Sequence, residues 1–397
     1  MEKELSTKLI HSGYIKFSKK VANMPSTPEA MPIFQTSVFA LDDISEIDAI
    51  YEKECDGYIY SRLGAPNADA ASEILAAAEE GEKALVFASG MAAITSAILS
   101  FVRFGDHIIS SPVIYGGVQD FLANELSRFG IEVTFADLLD GDISKYVKPN
   151  TKLVFTETIC NPLMEVPDVA VLTKSAHAYG LPLLLDNTFA SPVILKPLNF
   201  GVDVVLYSAT KYLGGHNDII AGAAVGSAKI IEQIKRYQML YGGVLSPHDC
   251  WLLTRSLRTL KMRVKQHSKN ALEIASFLEG HPKVERVFYP GLESSPSHIR
   301  AARQFEDGLF GGMLSIDLKG GEDAARKLIS SLETIYLVSS LAGLATTLSW
   351  PAKTSHRFYD REARLKAGIT DGQLRFSIGL EDAQDIITDL SNALEAL

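Results

Sequence analysis

Read as a pattern of apolar and polar positions, the chain divides into three stretches. Residues 1–60 mix the two classes without a sustained period and carry Pro25, Pro28 and Pro32, so the pattern predicts an extended arm rather than a domain. An arm of this kind packs on something else. From about 65 to 255 helical periodicity alternates with short apolar runs. A helix is predicted over 67–80, stopped by Gly81, and the runs ALVFAS, HIISS, LVFTET, LPLLLDN and VVLYSAT predict strands. Strands apolar at nearly every position, alternating with helices, mean an α/β architecture with a largely parallel sheet covered on both faces. Near Ser246-Pro247 the pattern changes to a long helical stretch, about 247–280, and then to the strand-like segments VERVFYP, GGMLSIDL and QLRFSIGL. The expected division is an arm at 1–62, a large α/β domain at 63–255 and a smaller α+β domain at 256–397. No internal repeat or heptad run is present.

Composition narrows the function. A chain of 397 residues, 47% hydrophobic and 22% charged, can bury a large core. Its formal charge of -10 disfavours the basic surface that nucleic acid or an anionic membrane requires, so a small-molecule substrate is expected. Cys55, Cys160 and Cys250 are far apart and lack the spacing of a zinc or redox motif, which predicts no metal and a reduced setting. The N-terminal MEKELSTKLIHSGY lacks the apolar core of a signal peptide, and no run reaches the roughly 18 apolar residues of a membrane span. A soluble cytoplasmic protein is the expectation.

Three places carry candidate chemistry. The run LPLLLD puts Asp186 at the carboxyl end of a buried strand, the edge where open α/β sheets bind ligands. Left charged and unpaired there, it would cost on the order of several kcal/mol, so it either meets a ligand or caps the next helix. VVLYSATK repeats the arrangement, with Ser208, Thr210 and Lys211 ahead of the turn Gly214-Gly215-His216. A lysine so placed is either solvated or, with a depressed pKa, a neutral amine able to form a Schiff base. At Ser89-Gly90-Met91 the strand ALVFAS turns into the helix MAAITSAILSF, where free N–H groups and the positive helix end suit a phosphate. A phosphate cradle, an acid for a ring nitrogen and a lysine for an aldehyde are the groups that pyridoxal 5'-phosphate (PLP) demands. The absence of G-x-G-x-x-G argues against a nicotinamide-dependent oxidoreductase.

The ordered motifs Y-S-R (60–62), S-G-M (89–91), Y-G-G (115–117), E-T-x-x-N-P (157–162), D-N-T (186–188), S-A-T-K-Y (208–212), G-H-x-D (215–218), L-S-P-H-D (245–249) and L-R-F-S-I-G-L-E (374–381) span nearly the whole chain. In order and wording the sequence resembles the Cys/Met-metabolism PLP enzymes, among them cystathionine γ-lyase, methionine γ-lyase, cystathionine γ-synthase and the sulfhydrylases. The resemblance implies the fold-type I, PLP-dependent transferase-like fold, with a large mostly parallel sheet and a smaller C-terminal α+β domain. It implies that Lys211 bears the Schiff base and later moves protons, and that Asp186 pairs with the pyridinium nitrogen. Ser89, Gly90, Met91, Ser208 and Thr210 would surround the phosphate, and Tyr115 would stack on the ring and act as acid or base. Asn161 would contact cofactor or substrate, Ser340 the substrate, and Arg375 would clamp the substrate carboxylate. Tyr60 and Arg62 would reach into a neighbouring subunit's phosphate site, which implies a homotetramer built from two dimers.

Four departures bear on substrate. Methionine γ-lyases carry cysteine where this chain has Gly117 and a Lys-Asp pair where it has Gln238-Met239; cystathionine enzymes tend to carry glutamate at the position of Ser339. The segment 340–347 also lacks a later glutamate, which makes the expected pocket less acidic, and Trp350 is expected to face that pocket and favour a bulky leaving group. The leading expectation is a carbon-sulfur lyase that eliminates the γ-substituent of methionine or cystathionine. A γ-replacement synthase, a β-lyase and a catalytically silent PLP-fold binding protein are the alternatives.

Overall fold

Strands form where the sequence is apolar at every position, because only a sheet covered on both faces can bury such runs. The structure, a computed structural model, describes residues 3–13, 28–357 and 360–397, so Pro25 and the rest of 14–27 in the expected arm lie outside the described residues. The large sheet contains β1 (Lys83–Phe87), β2 (His107–Ser110), β3 (Glu132–Phe135), β4 (Thr151–Glu157), β5 (Leu183–Asp186), β6 (Val204–Tyr207) and β7 (Gly222–Gly226). Their order is β1-β7-β6-β5-β4-β2-β3, and only β7 runs against its neighbours. All five strands expected from the apolar runs are present. The sequence pattern missed β3, an edge strand with no fully buried position, and β7, whose GAAVG lacks the branched and aromatic residues that mark strands.

Alternation of side chains along each strand divides the core into two layers. Leu85, Phe87, Phe155, Leu184 and Leu206 pack with Ile94 and Ile98 of the helix Gly90–Phe101, and Val86, Val154, Leu185, Val205 and Tyr207 share the other layer with Ile74 and Leu75 of the helix Pro66–Glu79. Each fully buried leucine or isoleucine contributes about 2 kcal/mol.

The second sheet contains β8 (Val284–Phe288), β9 (Met313–Leu318), β10 (Tyr336–Leu337), β11 (Thr347–Ser349) and β12 (Gln373–Ser377), in the order β10-β11-β12-β9-β8. The helical stretch expected over 247–280 is two helices, Pro247–Leu257 and Leu260–Glu279. The first packs on the helix Pro66–Glu79 beside the large sheet, and the second on β8, β9 and the helix Ala383–Glu395. Buried Arg263 of the second helix donates to the carbonyls of Tyr212 and Ser256, both at 2.8 Å, and so ties the smaller sheet's layer to the loop after β6.

In the arm, the helix Leu5–His11 buries Leu5 and Leu9 and packs on the helix Pro66–Glu79. Trp251 Nε1 donates to the Met31 carbonyl at 2.9 Å, and Asn67 bonds both Phe34 N and the Pro32 carbonyl. The helix Ile44–Tyr51 has a full capping box of Asp43 and Glu46 but no buried residue, and Val38, Ile44, Tyr51 and Tyr60 are exposed. This half of the arm covers little of its own chain. Among the described residues no helix is long and apolar enough to cross a membrane.

Candidate active site

The carboxyl ends of β1, β4, β5 and β6 lie along one edge of the large sheet, and each leads into a polar residue: Ser89, Glu157, Asp186 and Ser208. Asp186 caps no helix. Its Oδ1 accepts from Thr188 N at 2.9 Å and from the Thr188 hydroxyl, which in turn accepts from Ser208 N at 2.8 Å. Both bonds end on Oδ1, and among the described residues none reaches Oδ2, so one carboxylate oxygen is open to a ligand. Glu157 is the register partner of Asp186 across β4 and β5, and its Oε1 accepts from Tyr115 N at 2.7 Å.

Two buried acids side by side cannot both hold a full charge without a cation. Burial, and then the charge of Asp186, push Glu157 well above the usual carboxylate range, while burial raises Asp186 from 3.8 to about 6 against the bonds from Thr188. An acid whose native pKa is raised binds its proton more tightly folded than unfolded. Its stabilising contribution is therefore complete at low pH and is lost as pH rises from about 4 to about 6. Over that window the apoprotein should lose on the order of 2–3 kcal/mol of unfolding free energy relative to Asp186→Asn. Urea midpoints of the two proteins at pH 4 and pH 7 measure it, and parallel profiles would refute it.

Lys211 follows β6 on a short turn and its Nζ donates to Ser340 Oγ at 3.1 Å, a bond that joins the two sheets' loops. Burial, then the nearby charge of Arg375, lower its pKa. Arg375 comes from β12, is 7% exposed, and donates from Nη1 to Asn161 Oδ1 at 2.8 Å. Its Nε is buried without a partner, its Nη2 lies 3.5 Å from the Ser340 carbonyl, and Glu157 acts on it from beyond contact distance. Burial holds its pKa down to about 10. Tyr115 opens the helix Gly116–Asp120, half exposed, at a cleft of about 800 Å³ lined also by Gly117, Gln119, Asp120 and Ser355.

The helix Gly90–Phe101 begins beside these groups. Ser89 caps it by accepting from Ala92 N at 3.1 Å, a bond typically stabilising by about 1 kcal/mol. The amides of Gly90 and Met91 are in the first turn, where no intrahelical acceptor exists. A Cβ on Gly90 would lie 2.8 Å from Ser208 Cβ, and one on Gly222 would lie 2.1 Å from the Ser89 carbonyl oxygen, so this corner can close only around glycine.

The sequence profile of the Cys/Met metabolism PLP-dependent enzymes matches residues 6–395. This chain belongs to that family. An L-methionine gamma-lyase of Fusobacterium nucleatum subsp. polymorphum is 41% identical over 397 residues, covering 99% of this chain and 98% of the relative. A cystathionine beta-lyase of Bacillus subtilis (strain 168) is 39% identical over 93% of this chain and 92% of its own. The crystal structure of cystathionine gamma-lyase from Lactobacillus plantarum complexed with L-serine superimposes with a TM-score of 0.91 at 35% identity, covering 99% of both chains. The fold is the α/β fold of these PLP enzymes, and PLP is the cofactor.

For a Cys/Met metabolism PLP-dependent enzyme the residues of this edge fit the cofactor. Orphan amides stand where a phosphate would bind, an acid with one open oxygen stands at the end of β5, and a lysine with a lowered pKa stands between them and a buried arginine. The Ser208 hydroxyl has no hydrogen bond among the described residues. Thr210 differs: its hydroxyl already donates to the Ala221 carbonyl at 3.1 Å and accepts from Ala221 N at 2.9 Å, so contact with a phosphate would redirect its hydrogen.

Of the expected site residues, Ser89, Gly90, Met91, Asn161, Asp186, Ser208, Thr210, Lys211, Ser340 and Arg375 come together, with Tyr115 at the rim. Tyr60 and Arg62 stand apart within the single chain, where Arg62 lies over the Tyr60 ring at 5.6 Å and donates to the Met239 carbonyl at 3.0 Å. Gly117 gives the Tyr115 ring its place, since a Cβ there would lie 2.7 Å from Tyr115 Cε1. Gln238 is an internal brace that donates to the Val86 carbonyl at 2.6 Å, and Ser339 is exposed beside Ser340. Trp350 corrects an expectation. Its indole donates to the Asp371 carbonyl at 3.1 Å and packs under Arg326 and Lys353, because it follows Ser349, the register partner of Arg375, and so turns to the other face of its sheet. It does not shape the pocket.

Glu157 is the residue the sequence reading passed over. LVFTE ends a buried strand in an acid as LLLD does, and the argument applied to Asp186 would have found it.

Proposed function

We propose that this enzyme is a lyase that expels the γ-sulfur group of a sulfur amino acid, methionine or cystathionine, with release of 2-oxobutyrate, ammonia and a thiol. The observation that carries the reading is Arg375. A buried guanidinium without an anion is costly, and the fork held by Asn161 meets a carboxylate in bidentate fashion. An α-amino acid bound there by its carboxylate brings its Cα toward Lys211.

When bound, PLP withdraws electrons from the substrate Cα and makes protons at Cα and then Cβ removable. Lys211 moves those protons, and burial followed by the charge of Arg375 lowers its pKa and so favours the neutral amine that acts as a base. Asp186 holds the cofactor's ring nitrogen in its protonated form through the open Oδ2, and Glu157 fixes the backbone from which Tyr115 projects. Tyr115 supplies the proton that the departing sulfur requires, a role supported by the bond from its backbone N–H to Glu157, which holds it beside the ends of β4 and β5. Tyr60 and Arg62 serve the phosphate of a neighbouring subunit, so the working unit is at least a dimer and, in this reading, a dimer of dimers. The exposed half of the arm supports this.

The identity to a cystathionine beta-lyase favours β-elimination as the second reading. Product analysis separates the readings. The PLP-loaded protein is incubated separately with L-methionine, L-cystathionine, L-cysteine, and an O-acyl-homoserine plus a thiol. Release of 2-oxobutyrate from methionine or cystathionine is expected; pyruvate in its place moves the assignment to a β-lyase, and a new thioether to a synthase.

A further inference from the structure

On the reverse face of the large sheet, behind the cofactor edge, four polar side chains with no solvent exposure form a continuous hydrogen-bonded line. Thr158 Oγ1 donates to Asn187 Oδ1 at 2.7 Å, Asn187 Nδ2 donates to the Tyr207 hydroxyl at 2.8 Å, and that hydroxyl donates to Glu79 Oε1. Asn187 Nδ2 also reaches the Leu195 carbonyl at 2.9 Å. None of the four takes part in the chemistry proposed above. Each of the first three is the sequence neighbour of a residue on the cofactor edge: Thr158 of Glu157, Asn187 of Asp186, Tyr207 of Ser208. Because successive residues of a strand point to opposite faces, a line that joins these three on one face sets the spacing of their neighbours on the other.

Glu79 closes the line at an unfavourable place. It is the last residue of the helix Pro66–Glu79, where the negative end of the helix dipole opposes a carboxylate, and its Oε2 is buried without a partner. Burial pushes its pKa well above the usual carboxylate range, against the pull of Asn187 and Lys196. A leucine at this position would satisfy the surrounding core at less cost, and the carboxyl group's polar neighbours are Tyr207, which donates to it, Asn187 and, at longer range, Lys196.

We infer that Glu79, acting through Tyr207 and Asn187, is a positioning residue that fixes the ends of β4, β5 and β6 and thereby sets Glu157, Asp186 and Ser208 for PLP. The inference rests on the reading of Asp186 and Ser208 as cofactor contacts. Buried hydrogen-bond networks of this kind specify one arrangement of the strands that carry them, and outer partners of a binding group tune its affinity.

The test is a PLP titration of the apoprotein, followed by the visible absorption of bound cofactor and its pH midpoint, with apoprotein Tm measured alongside. Tyr207→Phe removes one hydroxyl and should raise the PLP Kd roughly tenfold and move the pH midpoint. Glu79→Gln keeps a neutral acceptor and should stay within about twofold of wild type. Ile74→Ala, a core change in the same helix that removes no hydrogen bond of the line, should lower Tm and leave the Kd unchanged. Thr158→Val breaks the line at its other end and replaces Tyr207→Phe if that variant does not fold. A Kd that stays put when the line is broken, or one that rises equally in Ile74→Ala, overturns the inference. Asp186→Ala in the same series tells the two failures apart: if it binds PLP as wild type does, the reading of the edge has failed as well, and if it alone weakens binding, only the inference has.

Discussion

Lys211→Ala is expected to give a folded protein whose turnover falls by at least about a thousandfold, whichever sulfur amino acid is supplied. Among the described residues the side chain makes a single hydrogen bond, to Ser340, so its removal should change Tm by no more than a few degrees. Its chemistry has no substitute. In the proposed reading the open oxygen of Asp186 is taken up by the cofactor's ring nitrogen, and Glu157 is engaged by Tyr115 N, so neither carboxylate takes over as the mobile base. The assay is product formation by the variant incubated with PLP, with circular dichroism to establish folding. Activity within about tenfold of wild type would remove Lys211 from the centre of the mechanism.

Arg375→Leu should separate stability from function. The guanidinium is buried with no carboxylate in ion-pair contact among the described residues, Glu157 acting on it only at longer range, so an apolar side chain there relieves a desolvation cost. The apoprotein should therefore melt at or above the wild-type temperature. Substrate binding should suffer, because the carboxylate loses both arms of the fork. Loss of a buried charge partner costs about 3 kcal/mol, which is on the order of a hundredfold in kcat/KM, chiefly through KM. A lower Tm with an unchanged KM would mean that Arg375 holds the fold and not the substrate.

Much of the site was legible because buried strands announce themselves and their ends are informative. LPLLLDN and VVLYSATK locate Asp186 and Lys211 at a sheet edge from hydrophobicity alone, and the long-range order of the motifs supplies the family. What stayed hidden depends on pairing across the chain. No local pattern reveals that Arg375 from β12 meets Asn161 from the loop after β4, since the two are joined only when the sheets pack. Strand β7 was hidden for the opposite reason: its glycines and alanines are chosen for what must fit above them and not for strand propensity. Trp350 was misread because its direction follows from the pairing of β11 with β12, which the sequence does not display.

Efforts to evolve a new substrate preference would randomise the residues around the cleft and leave the floor of the large sheet untouched. Gly222 belongs to that floor, bears no functional group, and starts the one reversed strand directly beneath Ser89. In a saturation library it should nevertheless prove as intolerant as a charged residue, since even alanine would wedge the helix start away from β6. Tolerance to change in this enzyme is thus set as much by the space reserved for the cofactor as by the groups that touch it.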